Sequence, residues 1–282
     1  MYNCIYSDDD LAYFEYNRPK EKREYQHVTT VISVTNQKGG VGKTTTAVNL
    51  AYYIAKTGKK TLLIDFDPQG NATSGLDFDK QDLVLTMADV VMESATLDQV
   101  VLPTPYKNFF LAPSTPHLAD VEVQLAQVEK RFSRLSRAIE SSSAEYDIII
   151  VDNPPSLSLL TVNGIVAAKY ILLPVQAEFY AMEGLGQLLE TMKLVRKGMN
   201  PTLELLGVLP TMMDTRTTLS GQVYEEIKKH FPGKVFNTVI PRNIRLAEAP
   251  SHGLPIGAYD KFSKGARSYK ALAKEVLNRV NS

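Results

Sequence analysis

Six short runs of β-branched and aliphatic residues, separated by amphipathic stretches, constrain this chain more than any other feature. Residues 30–35 (TVISVT), 60–66 (KTLLIDF), 109–113 (FFLAP), 146–152 (YDIIIVD), 170–175 (YILLPV) and 203–211 (LELLGVLPT) read as strands. Their near-continuous apolar character, without strict alternation, suits strands covered on both faces of a parallel sheet. Helix candidates lie between and after them at 43–57, 118–140, 157–168, 182–197, 220–230 and 265–280. Strand, helix and strand repeated with short turns imply an open doubly wound α/β domain, a mostly parallel sheet flanked by helices. Ligands of such sheets bind beyond the carboxyl ends of the strands.

That pattern covers residues 28–282. Residues 1–27 differ: SDDD is followed by NRPKEKREYQH, with Tyr2, Tyr6, Tyr13, Tyr16 and Tyr25 scattered between charges. They read as a flexible or loosely docked extension. The 31 basic and 31 acidic residues cancel, so no whole-chain field draws the protein to nucleic acid or anionic membrane. Residues 182–282, however, hold 15 of the basic and only 9 of the acidic residues, which puts any positive patch in the last third. Cys4 is the sole cysteine, which excludes an intrachain disulfide and a thiolate-rich metal site within one chain. With no apolar run near the ~20 residues that span a bilayer and no leader pattern, the expected location is the cytoplasm.

The first strand runs directly into NQKGGVGKTTTAVNLA, the strand–loop–helix context a phosphate-binding loop requires. Gly39, Gly40 and Gly42, with Val41 between them, let backbone N–H groups turn toward phosphate oxygens, and the helix start adds partial positive charge. Lys43 sits beside the terminal phosphates, Thr44 can give a hydroxyl to Mg²⁺, and Thr45 can reach an inner phosphate. The usual spacing G-x-x-x-x-G-K-[ST] fails, since its first glycine would fall at Gln37. Lys38 is instead a second lysine in the loop. Two ammonium groups on one phosphate pair within one chain repel, by about 4 kcal/mol at 4 Å near a protein surface. Lys38 becomes useful if it crosses a two-fold axis to a partner's nucleotide, as an arginine finger does in trans.

KGGVGKTT resembles the deviant phosphate-binding loop of the ParA/MinD class of ATPases, whose signature lysine matches Lys38. DFDPQGNATSGL (65–76), DNPPSL (152–157) and IPRNIRLAEAPSHGLPI (240–256) are similar to switch I, switch II and late segments of ParA/Soj partition ATPases. The resemblance implies that Asp152 holds Mg²⁺ through water. It also implies that Asp67, near the same metal, orients or activates the attacking water, while Asp65, two residues earlier on the opposite side of an extended backbone, is structural. Asn153 stands where the family has a small or sulfur residue. Adenine is implied around Thr211, Met212 and the turn Pro241, Arg242, Asn243.

What the resemblance implies in function is a slow ATPase acting as a partition switch. An ATP-bound homodimer binds double-stranded DNA without sequence preference, and a ParB-type centromere-binding partner stimulates hydrolysis and release. Arg216 and Arg245 match the family's DNA-contacting arginines, and Lys228, Lys229, Lys261, Lys264 and Arg267 could extend the patch. Residues 1–27 are too short for the operator-binding domain of longer plasmid relatives. Two alternatives stand beside this reading. A MinD-like membrane ATPase needs a free amphipathic C-terminal helix, but the stripe Tyr269, Leu272, Val276 and Val280 reads as packing against the sheet. A loop driving chemistry on another molecule, as in nitrogenase iron protein or amidotransferase-like synthetases, is the other; its cluster-bearing form is excluded by the single Cys4.

Overall fold

The computed structural model describes residues 29–178, 185–214 and 216–281. Seven strands form one sheet: β1 (Thr30–Val34), β2 (Thr61–Asp65), β3 (Leu102–Pro103), β4 (Phe109–Ala112), β5 (Ile148–Asp152), β6 (Tyr170–Gln176) and β7 (Glu204–Thr211), in the order β3-β4-β2-β5-β1-β6-β7. Every neighbouring pair is parallel except β3 against β4. The expected mostly parallel, doubly wound sheet is therefore present. The six strands read from the sequence correspond to six of these seven; the two-residue edge strand β3 gave no apolar run to read.

Alternate residues of the central strands enter two separate cores, because successive side chains of a strand point to opposite faces. Val31, Leu62, Ile64, Ile149, Val151 and Ile171 pack on one face. Ile32, Val34, Leu63, Ile148, Ile150 and Leu172 pack on the other. The second face is covered by α1 (Lys43–Ala55) and by the C-terminal helix, Lys264–Val280, through Leu50, Ile54, Leu272 and Val276. A bond between Thr46 Oγ1 and the buried Tyr269 hydroxyl, 3.1 Å, ties those two helices together. Tyr269, Leu272 and Val276 are buried and Val280 half-buried, as the packing reading of that stripe expects. Among the described residues no helix is long and apolar enough to cross a membrane.

In chain order after α1 come α2 (Asn71–Ser74), α3 (Met87–Val91), α4 (Leu97–Val100), α5 (His117–Leu125), α6 (Arg134–Glu140), α7 (Leu159–Val166), α8 (Leu185–Gly198), α9 (Thr218–His230), α10 (Ile244–Glu248), a 3₁₀ turn (Ala249–His252), α11 (Ile256–Tyr259) and α12 (Lys264–Val280). The single helix expected over 118–140 is two. Lys130 takes a left-handed φ of 57°, Phe132 just beyond it is buried, and Asn163 Oδ1 accepts the Arg134 N–H at 2.9 Å and the Leu135 N–H at 3.4 Å. A side chain on a neighbouring helix thus caps the restart, and no local signal announces it. The first part of the helix expected at 182–197 and the whole extension 1–27 lie outside the described residues.

Candidate functional site

The loop between β1 and α1 turns at Gly40 (φ 74°) and Gly42 (φ 86°), conformations that only glycine adopts without strain. Asn36 fixes its entry: the side-chain amide donates to Pro174 O at 2.7 Å, and Oδ1 accepts the Lys38 N–H at 3.0 Å. Its exit is pinned by Thr211 Oγ1, which donates to Val41 O at 2.8 Å from a residue 170 positions later. Lys43 is 7% exposed, and its ammonium donates to the Lys38 carbonyl at 3.0 Å. Burial lowers its pKa, against the opposing charges of Asp152 and Asp67. Its Nζ is poised at the loop, held by one carbonyl.

Lys38 contributes its carbonyl to this cradle, not its ammonium. Its Nζ lies 3.7 Å from Glu178 Oε2, and Arg242 Nη2 lies 3.7 Å from the other oxygen of the same carboxylate. Exposed pairs of this length contribute about 0–1 kcal/mol, so little holds the side chain where it is.

Three carboxylates converge at the carboxyl ends of β2 and β5. Asp65 and Asp152 are in register on adjacent strands, and both are fully buried, with Asp67 5% exposed. Asp65 is clamped: Oδ2 accepts Thr73 N–H at 2.8 Å and Thr73 Oγ1–H at 2.7 Å, and Oδ1 accepts Asp67 N–H at 3.3 Å. Burial still pushes its pKa up to about 6. Asp67 accepts one backbone amide, Gln69 N–H at 2.9 Å, through Oδ1. Among the described residues neither oxygen of Asp152 has a partner at hydrogen-bond geometry, although the Thr44 hydroxyl is near. Burial, then the charge of Asp65, push its carboxyl well above the usual range, against the pull of the nearby Thr44 hydroxyl and the Lys43 ammonium. Among the described residues no three acids come together as a direct metal cluster, so the unpartnered oxygens of Asp152, near the Thr44 hydroxyl, suit a hard divalent cation held mainly through water.

The segment after Asp152 begins on an anchor. The Asn153 amide donates to Ser33 Oγ, Val34 O and Val151 O at 2.8, 3.1 and 3.3 Å. Its other face meets Gly164, where a Cβ would fall 2.0 Å from Asn153 Oδ1. Pro154 is buried, but Pro155 and Ser156 are exposed. The fixed part therefore ends where the free turn begins.

On the far side of the loop, Arg242 N–H donates to Met213 O at 3.0 Å, and Met213 bridges Pro241. This brings Thr211 and Met212 beside Pro241, Arg242 and Asn243, with Thr211 tied to the phosphate loop. Met212 has φ 51°, an uncommon conformation for a side-chain-bearing residue that costs about 1–3 kcal/mol. Asn243 Oδ1 is buried with no partner, an acceptor free for an amino group. Arg216 and Arg245 are exposed but already paired: Arg216 grips Asp214 through Nε and Nη2 at 2.9 and 2.7 Å, and Arg245 meets Glu248 at 2.9 Å and Asp260 at 3.7 Å. Thr73, Asn36, Glu178 and Thr211's grip on Val41 were not legible beforehand, because each acts through a partner remote in sequence or through a turn that apolar patterning does not report.

A model of the AAA domain family matches residues 29–205. The sporulation initiation inhibitor protein Soj of Bacillus subtilis is 52% identical over 246 residues, covering 87% of this chain and 97% of that protein. The chromosome partitioning protein ParA of Myxococcus xanthus is 45% identical over 258 residues, 92% of this chain and 91% of that one. Among solved structures, a protein of Mycobacterium smegmatis described as cobyrinic acid a,c-diamide synthase, with bound ATP analog and magnesium, superposes with a TM-score of 0.80 at 34% identity, over 90% of this chain and 97% of that chain. The septum site-determining protein MinD of Pyrococcus horikoshii, complexed with Mg-ADP, gives 0.72 at 24% identity, over 90% and 99%, a likeness of fold. Sequence identity at this level over nearly the whole of its relatives, on a sheet whose loop, paired acids and switch segments meet at one edge, means that the chain belongs to the Soj/ParA family of chromosome-partitioning ATPases.

Proposed function

We propose that this protein is a nucleotide switch for DNA partition: it binds ATP with Mg²⁺ at the loop 36–45, dimerises, holds DNA in that state, and lets go after hydrolysis. The observation that carries this reading is the Asp152 carboxylate, buried with both oxygens unpartnered beside Lys43. On binding, the Lys43 ammonium exchanges the Lys38 carbonyl for phosphate oxygens, and the backbone of Gly39 to Thr45 lines the phosphates. Thr44, and Asp152 through water, would hold Mg²⁺, which would neutralise charge at the phosphates. Asp67, with one oxygen committed to Gln69 N–H, uses its other oxygen to orient the attacking water and accept its proton. The orphan Asn243 Oδ1 is suited to the amino group of adenine, between Met212 and the Pro241–Arg242 turn.

Lys38, whose side chain leaves its own cradle for Glu178, reaches across the two-fold axis to the partner's nucleotide. Pairing two chains doubles every phosphate contact of Arg216 and Arg245, with Lys228, Lys229, Lys261, Lys264 and Arg267 extending the patch. Binding to double-stranded DNA then becomes steep in salt and dependent on ATP. A ParB-type partner stimulates hydrolysis. The protein works in the cytoplasm, on the nucleoid when ATP-bound. Packing of Tyr269, Leu272 and Val276 against the sheet leaves α12 without the free apolar face that a MinD-like membrane ATPase needs.

The test is the ATPase rate with and without random-sequence duplex and a candidate ParB. A low basal rate raised by the two together is expected. Turnover that depends on a carboxylic acid co-substrate would point to synthetase chemistry instead, and turnover that responds only to lipid vesicles to the membrane reading.

A further inference from the structure

Large apolar side chains that remain exposed are unremarkable singly, but here their placement is not scattered. Among the described residues five stand out, and three of them, Leu219, Ile244 and Phe262, lie within three positions of Arg216, Arg245 and Lys261, respectively. Ile244 and Phe262 are 76% and 77% exposed. The segments carrying them abut. Arg242 N–H bonds Met213 O, Arg245 Nε lies 3.7 Å from Asp260 Oδ2, and Leu246 packs so closely on Gly265 that a Cβ there would fall 2.6 Å from Leu246 Cγ.

Phe262 is held out on a fixed turn. Its N–H donates to Asp260 Oδ1 at 3.1 Å, and the next residue, Ser263, caps α12 by accepting Ala266 N–H at 3.0 Å. The Lys261 ammonium sits 5.0 Å from the ring centre. Beyond it, Lys264, Arg267, Lys270 and Lys274 share the exposed face of α12, at helical spacing. Unlike Arg216 and Arg245, none of these five cations is in an ion pair among the described residues. A rigid aromatic ring and an aliphatic side chain, set among unpaired cations, complement a polyanion that also offers apolar edges. The deoxyribose and base edges of a DNA groove are such a surface. A bilayer fits less well, since the charged Arg245–Asp260 contact joins the two segments that carry these side chains and the apolar stripe of α12 is buried.

We propose that Phe262 and Ile244 are apolar DNA contacts that seat in a groove of the duplex and add a salt-independent part to its affinity. This rests on the DNA-binding reading above. The test is a salt titration of random-sequence duplex binding, with ATP and Mg²⁺, for the full chain, Phe262→Ala, Phe262→Leu and the double variant Phe262→Ala with Ile244→Ala. Both side chains are exposed, so the fold is not at risk. The double variant should bind about tenfold or more weakly at every salt concentration, with the slope of log affinity against log salt unchanged, and Phe262→Leu should fall between. Arg245→Ala, by contrast, should change the slope. Wild-type affinity in the double variant, a changed slope, loss of the ATP-dependent dimer mass, or a defect confined to anionic phosphatidylserine vesicles would each overturn the proposal. If the unaltered protein fails to hold DNA at any salt, the DNA-binding reading fails first and takes this one with it.

Discussion

The buried Lys43 side chain faces two nearby acids, Asp152 and Asp67, and among the described residues its ammonium donates to the Lys38 carbonyl at 3.0 Å. A single carbonyl is a weak tether compared with two charged phosphate oxygens. Lys43→Ala should therefore lower ATP affinity by roughly a hundredfold or more, measured by nucleotide titration; retained micromolar binding would remove it from the phosphate site. Asp67 and Asp65 separate by their partners. Asp65 is tied to Thr73 twice, whereas Asp67 keeps one oxygen outside the backbone contact. Asp67→Ala should leave ATP binding and dimerisation intact and slow turnover by about 10²–10⁴, giving a long-lived dimer by light scattering. Lys38→Ala should still bind one ATP per chain but stay monomeric at saturating nucleotide, and a mass measurement showing wild-type dimer would reduce Lys38 to a surface residue.

Elements are held by contacts that no single residue advertises. The C-terminal half of α12 is locked to the segment after α9: Glu275 accepts Asn237 N–H and Thr238 N–H, each at 2.9 Å, and Arg279 Nη2–H at 2.9 Å. Burial alone would raise the Glu275 carboxyl, but these donors outweigh it and hold its pKa below the usual range. The folded state then binds the proton more weakly than the unfolded chain. Its stabilisation is complete above the unfolded glutamate pKa and is lost as pH falls through the depressed value. Glu275→Gln should cost about 1–3 kcal/mol near neutral pH, and the gap to wild type in denaturant midpoints should close in acid; a gap independent of pH would show that shape, not charge, holds the helix. The segment after β5 follows the same logic, with Asn153 anchored to β1 while Pro155 and Ser156 are exposed.

For the whole molecule, the arginines proposed for DNA are both engaged in exposed ion pairs. Solvent-exposed pairs of this kind are weak, so a phosphate could replace Asp214 or Glu248 with little loss. Arg245→Ala in the ATP dimer removes one phosphate contact from each chain. The slope of log affinity against log salt should shrink by about two, at roughly 0.9 per contact, with dimer mass unchanged. An unchanged slope would move the phosphate contacts elsewhere. The chain carries 31 charges of each sign, so no whole-chain field holds it to a polyanion, and the proposed DNA contact rests on the local patch.

The positions of the buried strands, the glycine loop, and the acids at strand ends were legible in the sequence because each is a local matter. Two-sided burial selects apolar runs, positive φ selects glycine, and a doubly wound sheet puts its ligands at carboxyl ends. The break in the expected 118–140 helix was not, because its cause is Asn163, about thirty residues away, offering an acceptor to Arg134 and Leu135. Strand order was undetermined for the same reason. Nothing local in IIIVD says that it inserts between β1 and β2, yet that insertion sets Asp152 beside Asp65. The Thr211 bond to Val41, which joins the phosphate loop to the expected adenine side, spans two parts of the chain that only the closed sheet makes neighbours. Where a group's partner lies within a turn of helix or along one strand, sequence is enough; where a buried donor or acceptor is satisfied across the fold, the tertiary structure chooses the partner.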